Sequence, residues 1–144
     1  MSIAKRETDA LRWLNSAKSD LETGELLQQH GKYSHSCFLY QQAAEKAVKA
    51  LHISYDCDVW GHSIQKLMED FLSINSELHQ LLSRYINSAR VLDRLYIPTR
   101  YPDGLPDLTP EAAFSSEDAQ DAYERSNAIV AFVTGKIKLS TTGQ

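Results

Sequence analysis

The stretch of sequence that decides the fold covers residues 31–55 and reads GKYSHSCFLYQQAAEKAVKALHISY. Its apolar residues recur at intervals of three and four positions, which is the spacing of one helix face and not the alternation of a β-strand. The apolar stripe consists of Cys37, Tyr40, Ala44, Val48, Leu51 and Tyr55. This pattern predicts one long helix over residues 32–56, ended by the acidic and glycine residues that follow it.

The same spacing continues on both sides of this helix. No proline occurs before Pro98, so nothing in the first two thirds of the chain forbids helix. Each further predicted helix has a small polar residue or a glycine at one end, where helices are commonly capped. These helices are one over residues 5–29 followed by Gly31, one from Ser63, one from Asn75 or Ser76, and a last one from Ser115 or Ser116 to about Gly135.

The four prolines fall together, at positions 98, 102, 106 and 110. Residues 97–114 are therefore predicted to form a long, irregular but ordered loop, with a turn at Asp103-Gly104. The helices and this loop predict an all-α fold, an up-down bundle of four or five helices with a proline-rich loop before the last one. The length of 144 residues fits a single domain over residues 1–144.

Composition narrows the class of protein. Hydrophobic residues make up 42% of the chain, which is enough to build a core and argues against disorder. No apolar run reaches the roughly 18 residues of a membrane span, and the N-terminus lacks a secretory signal. We therefore expect a cytoplasmic protein with no membrane partner. The net charge of −4 disfavours general coating of nucleic acid but allows a local basic patch.

Three sequence blocks, of which the first lies within the stretch quoted above, occur in a characteristic order. They are GKYSHSCFLYQQAAEKAVKAL at residues 31–51, Gly61-His62-Ser63 before the helix that carries Leu67, and YIPTRYPD at residues 96–103. Together they resemble the HEPN domain family (higher eukaryotes and prokaryotes nucleotide-binding), whose small prokaryotic members have a similar Arg-Tyr-Pro turn. The resemblance implies a four- or five-helix bundle that is usually a homodimer. It also implies a nucleotidyltransferase as a partner protein, in pairs interpreted as toxin–antitoxin systems.

Many HEPN proteins are metal-independent ribonucleases whose signature is an arginine followed four to six residues later by a histidine. No histidine falls in that window after any arginine of this chain, and the last histidine is His79. Without that imidazole there is no obvious general base near neutral pH for a ribose hydroxyl. The sequence therefore favours a protein without its own catalysis, with a divergent ribonuclease toxin as the alternative.

Two groups of side chains are candidates for binding a ligand. Gln42, Glu45, Lys49 and His52 share one polar helix face, which either meets a ligand or is simply solvated. The second group lies between residues 84 and 100, where four arginines accompany a single acid, and guanidinium groups suit phosphate recognition. The candidate ligand-binding residues are Arg90, Arg94, Tyr96, Arg100, Tyr101, Glu45, Lys49 and His62.

Each candidate also has a purely structural interpretation. Arg94 can pair with Asp93 or with a glutamate of another helix, while Tyr96 and Tyr101 can pack the end of the bundle. His62 can serve only to start a helix. Under these interpretations the chain is an interaction module with no small ligand.

The sequence predicts no metal site and no cofactor. The residues that could be considered as zinc ligands are His35, Cys37, Cys57 and His62. The two cysteines are separated by predicted helix, about 30 Å at 1.5 Å per residue, whereas zinc ligands lie about 2.3 Å from one ion. We expect Cys37 to lie in the core instead.

These observations lead to a hypothesis about function. The chain is predicted to be a homodimeric HEPN bundle that binds a nucleotide, an RNA phosphate or a partner protein without turnover. Dimerisation is expected because Trp13, Tyr33, Phe38 and Trp60 lie outside or beside the main apolar stripes, which leaves apolar surface to cover.

Overall fold

The structure is a computed structural model that describes the backbone of residues 2–142 and the side chains of residues 2–137. Its helices are α1 (Ile3–Gln29), α2 (Tyr33–Ser54), α3 (Ile64–Glu69), α4 (Ser76–Leu82), α5 (Ile86–Asp93), α6 (Pro110–Ala113) and α7 (Ser116–Thr142). No strand occurs among the described residues, so the predicted all-α bundle is confirmed. None of the helices within that range is both long and apolar enough to cross a membrane.

Helix α2 forms the centre of the bundle, and α1 and α7 pack against it. The connection between α1 and α2 is short, which makes them an antiparallel pair. Gly31 ends α1 as predicted, because its φ of 76° is a left-handed conformation that glycine adopts without a steric cost. The predicted stripe of α2 is buried from Cys37 to Leu51, whereas α2 ends at Ser54 and leaves Tyr55 exposed.

Helices α1 and α2 approach closely at Gly24. A Cβ atom at this position would lie 2.5 Å from Cε1 of Tyr40, so only glycine leaves room for the fully buried tyrosine ring. The Tyr40 hydroxyl donates a hydrogen bond to Gln28 of α1, and Ser126 of α7 donates to the Tyr40 carbonyl at 2.6 Å. Tyr40 therefore joins the three long helices at one point.

The short middle helices begin at the predicted caps. The Ser63 hydroxyl accepts from the Lys66 amide at 3.1 Å, and the Asn75 side chain accepts from the Leu78 amide at 3.0 Å. The segment that follows Asn75 is not one continuous helix, since a 3₁₀ turn over Ser83–Tyr85 separates α4 from α5. The Ser83 hydroxyl donates to the Gln80 carbonyl in this turn, which is a bond that competes with the regular helical ladder.

One sequence-based prediction about the C-terminal part is wrong, and a second is refined by the structure. The last helix does not end near Gly135 but continues to Thr142, because Gly135 lies on the exposed face while Ile137 carries the buried stripe beyond it. The proline-rich loop of residues 97–114 is present as predicted, with its turn at Asp103-Gly104, but it is not entirely irregular. It contains a 3₁₀ turn over Pro102–Gly104 and the one-turn helix α6, in which Pro110 occupies a first-turn position where its missing N–H costs nothing.

Candidate functional site

The polar face of α2 is buried, and it is not the solvated face that the sequence left open as an alternative. Glu45 is 3% exposed and Lys49 is 7% exposed, and the Lys49 ammonium lies 3.1 Å from Oε2 of the carboxylate. The buried Gln41 amide donates to Oε1 of Glu45 at 3.2 Å. Because a buried carboxylate is stable only with compensating charge and hydrogen bonds, these partners are what allow Glu45 to remain inside the bundle.

His62 brings the loop between α2 and α3 onto this buried carboxylate. Its Nδ1 donates to Oε2 of Glu45 at 3.3 Å, which leaves Nε2 as the free ring nitrogen. The imidazole stacks on the ring of Tyr96, with centroids 4.8 Å apart and an interplanar angle of 17°. More than half of the imidazole, 58%, is exposed to solvent. The imidazole is thus held on one side by a carboxylate and an aromatic ring and is open on the other.

Arg100 lies among three aromatic rings. Its guanidinium carbon is 4.2 Å from the ring centroid of Tyr96, 4.9 Å from that of Tyr101 and 5.2 Å from that of Phe38. Its Nε donates to the Tyr96 carbonyl at 3.2 Å. No carboxylate of the described residues pairs with this guanidinium, so its two terminal nitrogens keep their donors available.

Contacts join six of the eight predicted site residues into one group, which we call the Glu45–Arg100 cluster. Its members are Lys49, Glu45, His62, Tyr96, Arg100 and Tyr101, each in contact with another member. The sequence did not assign Phe38 and Gln41 to the site. The spacing of the sequence could have placed both of them near the site, since each precedes Glu45 at helical spacing on the same helix.

Arg90 and Arg94 make no contact with this cluster. Both side chains are exposed at α5 and its C-terminal cap, and neither has an ion-pair partner in the part of the chain that the structure describes. The proposed pairing of Arg94 with Asp93 is wrong. The Asp93 carboxylate instead accepts from the Ser63 hydroxyl at 2.9 Å and from the first amides of α3, at Ile64 and Gln65.

Asp93 therefore connects the loop that carries His62 with the segment that carries Tyr96 and Arg100. The residues that it binds come directly after His62, and Asp93 itself comes shortly before Tyr96 and Arg100. The first amides of a helix are unpaired donors, and a carboxylate that accepts from them is a favourable cap.

Other titratable side chains in the core have structural roles. Burial raises the pKa of the Cys37 thiol to about 12, so this thiol stays protonated and unreactive near neutral pH. Burial lowers the pKa of His52, whose Nε2 donates to the Leu67 carbonyl at 2.7 Å. Among the described residues no group of three or more His, Cys, Asp or Glu side chains is arranged to hold a metal ion.

The chemistry available to the cluster follows from its composition. A guanidinium with free donors binds an anionic oxygen, and the exposed ring of Tyr101 offers a flat surface to a planar group, whereas the ring of Tyr96 is already in contact with His62 and Arg100. The half-exposed imidazole adds a hydrogen-bonding nitrogen beside them. The geometry thus defines a class of protein: a helical bundle in which a buried ion pair on the central helix lies beneath a partly exposed group of arginine, histidine and tyrosine side chains.

Comparison with known proteins identifies the family. The HEPN domain matches residues 10–137, and the chain belongs to the HEPN family. Similar solved structures are TT1696 from Thermus thermophilus, with 36% identity and a TM-score of 0.79, and ST0689, an archaeal HEPN homologue, with 32% and 0.73. The alignments cover 88% and 89% of this chain and 97% of each of those chains.

A HEPN domain protein from Thermotoga maritima, TM0613, has the same arrangement of helices. It is 28% identical to this chain, with a TM-score of 0.68, and the alignment covers 88% of this chain and 98% of that one. No curated protein matches the chain. These comparisons agree with the resemblance of the three sequence blocks.

Proposed function

We propose that this HEPN protein is a homodimeric, non-catalytic module of the cytoplasm that binds the phosphate of a nucleotide or of RNA at the Glu45–Arg100 cluster. The observation that supports the proposal most directly is the environment of the Arg100 guanidinium. Its guanidinium is held by three aromatic rings and has no carboxylate partner among the described residues. A charge that is fixed in position and has no carboxylate partner in the described part of the chain is suited to an anion from outside.

Calorimetric titration with ATP and with a short single-stranded RNA tests the site. Substituting Arg100→Gln is expected to weaken binding about 10- to 100-fold, because a hydrogen bond to a charged group contributes roughly 1.5–3 kcal/mol. Arg100→Lys keeps the charge without the planar fork and is expected to recover only part of the affinity.

The matched control for this titration is Arg125→Gln. Arg125 is an arginine that already pairs with a carboxylate, Asp121, at 2.9 Å. Its loss is expected to leave the affinity unchanged. No heat in the wild-type protein, or equal binding by Arg100→Gln, would reject the cluster as the binding site.

Partnership with a nucleotidyltransferase is part of the same proposal. It is supported by family membership, since paired genes of this kind accompany small HEPN proteins. The test is co-expression of this chain with a nucleotidyltransferase encoded beside it, with an affinity tag on one of the two. Co-elution at a fixed stoichiometry is expected, and separate elution of two folded proteins contradicts the partnership.

A divergent ribonuclease is the second candidate function, and His62 favours it. Its Nδ1 is engaged by Glu45, so Nε2 is the ring nitrogen left to accept a proton, and both His62 and Arg100 contact the ring of Tyr96. Incubation with labelled RNA in EDTA distinguishes the two functions. Cleavage that is lost in His62→Ala and in Arg100→Gln would make the protein an enzyme, and intact RNA supports a binding role.

A further inference from the structure

A cavity of about 600 Å³ opens between the first half of α1 and the loop that follows α2. Its apolar walls are formed by Trp13, Ile53 and Val59, each of which is partly buried. Trp13 and Ile53 also pack against the hydrophobic core, and the centroid of the Trp13 ring lies 5.8 Å from the Lys49 ammonium. These contacts hold the walls in place, so the cavity is already formed for a ligand to enter.

Several polar side chains of the cavity are occupied by contacts within the chain. The Lys46 ammonium lies 2.8 Å from the Asp20 carboxylate and donates a hydrogen bond to the Ser16 hydroxyl at 2.9 Å. Asp56, at the end of α2, lies 4.0 Å from the Arg6 guanidinium. A ligand therefore has to meet its polar partners elsewhere in the cavity.

The cations that α1 contributes to the cavity are not fully compensated. Lys5 and Arg12 share a single carboxylate, that of Asp9, at 3.4 and 3.6 Å. Lys5 donates a hydrogen bond to this carboxylate, whereas the Arg12 guanidinium makes no hydrogen bond with any residue that the structure describes. One positive charge therefore remains on the α1 side, with guanidinium donors that match a carboxylate in shape.

The loop side of the cavity fixes the orientation of an anion. Asp58 is exposed there, and its solvated carboxylate repels a second negative charge. Burial and the carboxylates of Asp56 and Asp58 raise the pKa of the Cys57 thiol, which also lines the cavity and so stays neutral near pH 7. An anionic group is thus favoured on the α1 side, and the apolar walls accept the rest of the ligand.

We infer that this cavity binds a small aromatic acid, with its flat ring system on Trp13 and its carboxylate on the Arg12 guanidinium. The volume lies within the range of roughly 300–1,000 Å³ that encloses small ligands. A ring system gains by leaving water for the apolar walls and by packing on the indole. No residue described as lining the cavity belongs to the Glu45–Arg100 cluster, so the two sites are independent.

NMR titration with 2-naphthoate tests the site. The chain contains two tryptophans, so a ¹⁵N spectrum shows two indole N–H signals, and a Trp60→Phe variant assigns the one that belongs to Trp13. The Trp13 signal is expected to shift as the probe is added. A Trp13 signal that stays in place overturns the inference.

Two further probes keep the rings and change only the charge. They are 2-naphthalenemethanol, which is neutral, and 2-naphthylmethylamine, which is a cation. We expect the naphthoate to bind most tightly, the alcohol less tightly and the amine least, because the uncompensated charge beside Arg12 is positive. Equal affinity for the three probes, or tightest binding of the amine, overturns the assignment of an acid.

Substituting Arg12→Gln tests the carboxylate partner. The affinity for naphthoate should fall about 3- to 10-fold while that for the alcohol stays the same, because an exposed charge is lost and no apolar wall is removed. The matched control is Arg84→Gln, an exposed arginine that lies outside this cavity, and it should bind naphthoate like the wild-type protein. Equal naphthoate binding by Arg12→Gln and the wild type contradicts the site.

A last comparison separates this cavity from the proposed anion site. Naphthoate binding that is lost in Arg100→Gln and retained in Arg12→Gln would locate the probe at the Glu45–Arg100 cluster and overturn the inference. Failure of ATP and RNA to bind the wild-type protein would instead reject the proposed function. The naphthoate titration would keep its meaning in that case, because it reports on Trp13.

Discussion

Two regions of this HEPN protein differ in how their charged side chains are compensated. On α2, Glu45 and Lys49 are buried, and each compensates the other at 3.1 Å. Between residues 84 and 100, four arginines have no ion pair among the described residues, and the one acid of that segment caps α3 instead. The first region pairs its charges inside the fold, whereas the arginines of the second have no ion-pair partner in the described part of the chain.

The difference shows how to separate structural from functional charge in a small bundle. A buried ion pair is costly to break, because the remaining charge stays in a medium of low dielectric constant. An exposed guanidinium costs the fold almost nothing to remove, because water replaces whatever it contacted. Measurements of stability should therefore distinguish the two regions sharply.

The largest expected effect comes from breaking the buried pair. Lys49→Met leaves the Glu45 carboxylate without its ammonium partner and should lower the free energy of unfolding by about 3–5 kcal/mol. Arg94→Met in the exposed region should change it by less than about 0.5 kcal/mol. Urea denaturation followed by circular dichroism measures both variants. If both variants lost the same free energy of unfolding, the distinction between a buried structural ion pair and exposed arginines would be contradicted.

A second, smaller effect is expected where the regions meet, at Asp93. Asp93→Ala removes the acceptor of three hydrogen bonds at the start of α3 and should cost about 2 kcal/mol in the free energy of unfolding. Asp93→Asn keeps one carbonyl acceptor and should lose roughly half as much. ATP affinity can be measured at a temperature at which Asp93→Ala is still folded. A lower affinity than that of the wild type would show that the carboxylate also positions the cluster. Unchanged stability in Asp93→Ala would contradict its structural role.

The smallest expected effect concerns the pH dependence of stability, and it comes from another ionisable side chain of α2, His52. Burial lowers the pKa of His52 below its ordinary value of 6.5, so the unfolded chain takes up a proton before the folded one does. The stability that the neutral ring contributes is complete above about pH 6.5 and declines as the pH falls below it. His52→Gln retains a donor for the Leu67 carbonyl and should flatten the decline of melting temperature with pH. An identical pH dependence in the variant would exclude His52 as its source.

Much of the fold was predictable from local patterns. The apolar stripe of α2 from Cys37 to Leu51, the glycine after α1 and the caps Ser63 and Asn75 all depend on neighbouring residues, and these are confirmed. The end of α7 was mispredicted because Gly135 looks like a stop signal in sequence. Only the burial of Ile137 in the tertiary structure shows that the helix continues.

The site was less predictable than the fold. The sequence named the six residues of the Glu45–Arg100 cluster, but it grouped Arg100 with Arg90 and Arg94 because they are close along the chain. The structure instead brings Arg100 to Phe38 and Tyr96, across elements whose packing no spacing rule reveals. What the cluster binds remains a prediction for titration to test.

The cap at Asp93 determines when the residues of the Glu45–Arg100 cluster are held together. Its carboxylate links two stretches of chain about thirty positions apart, and it touches neither His62 nor Arg100. A brief separation of α3 from α5 would therefore dissolve the surface while the three long helices stay folded, since local opening needs less free energy than global unfolding. Occupancy by a ligand would suppress that opening, and hydrogen exchange at the amides of Ile64 and Gln65 would register it first.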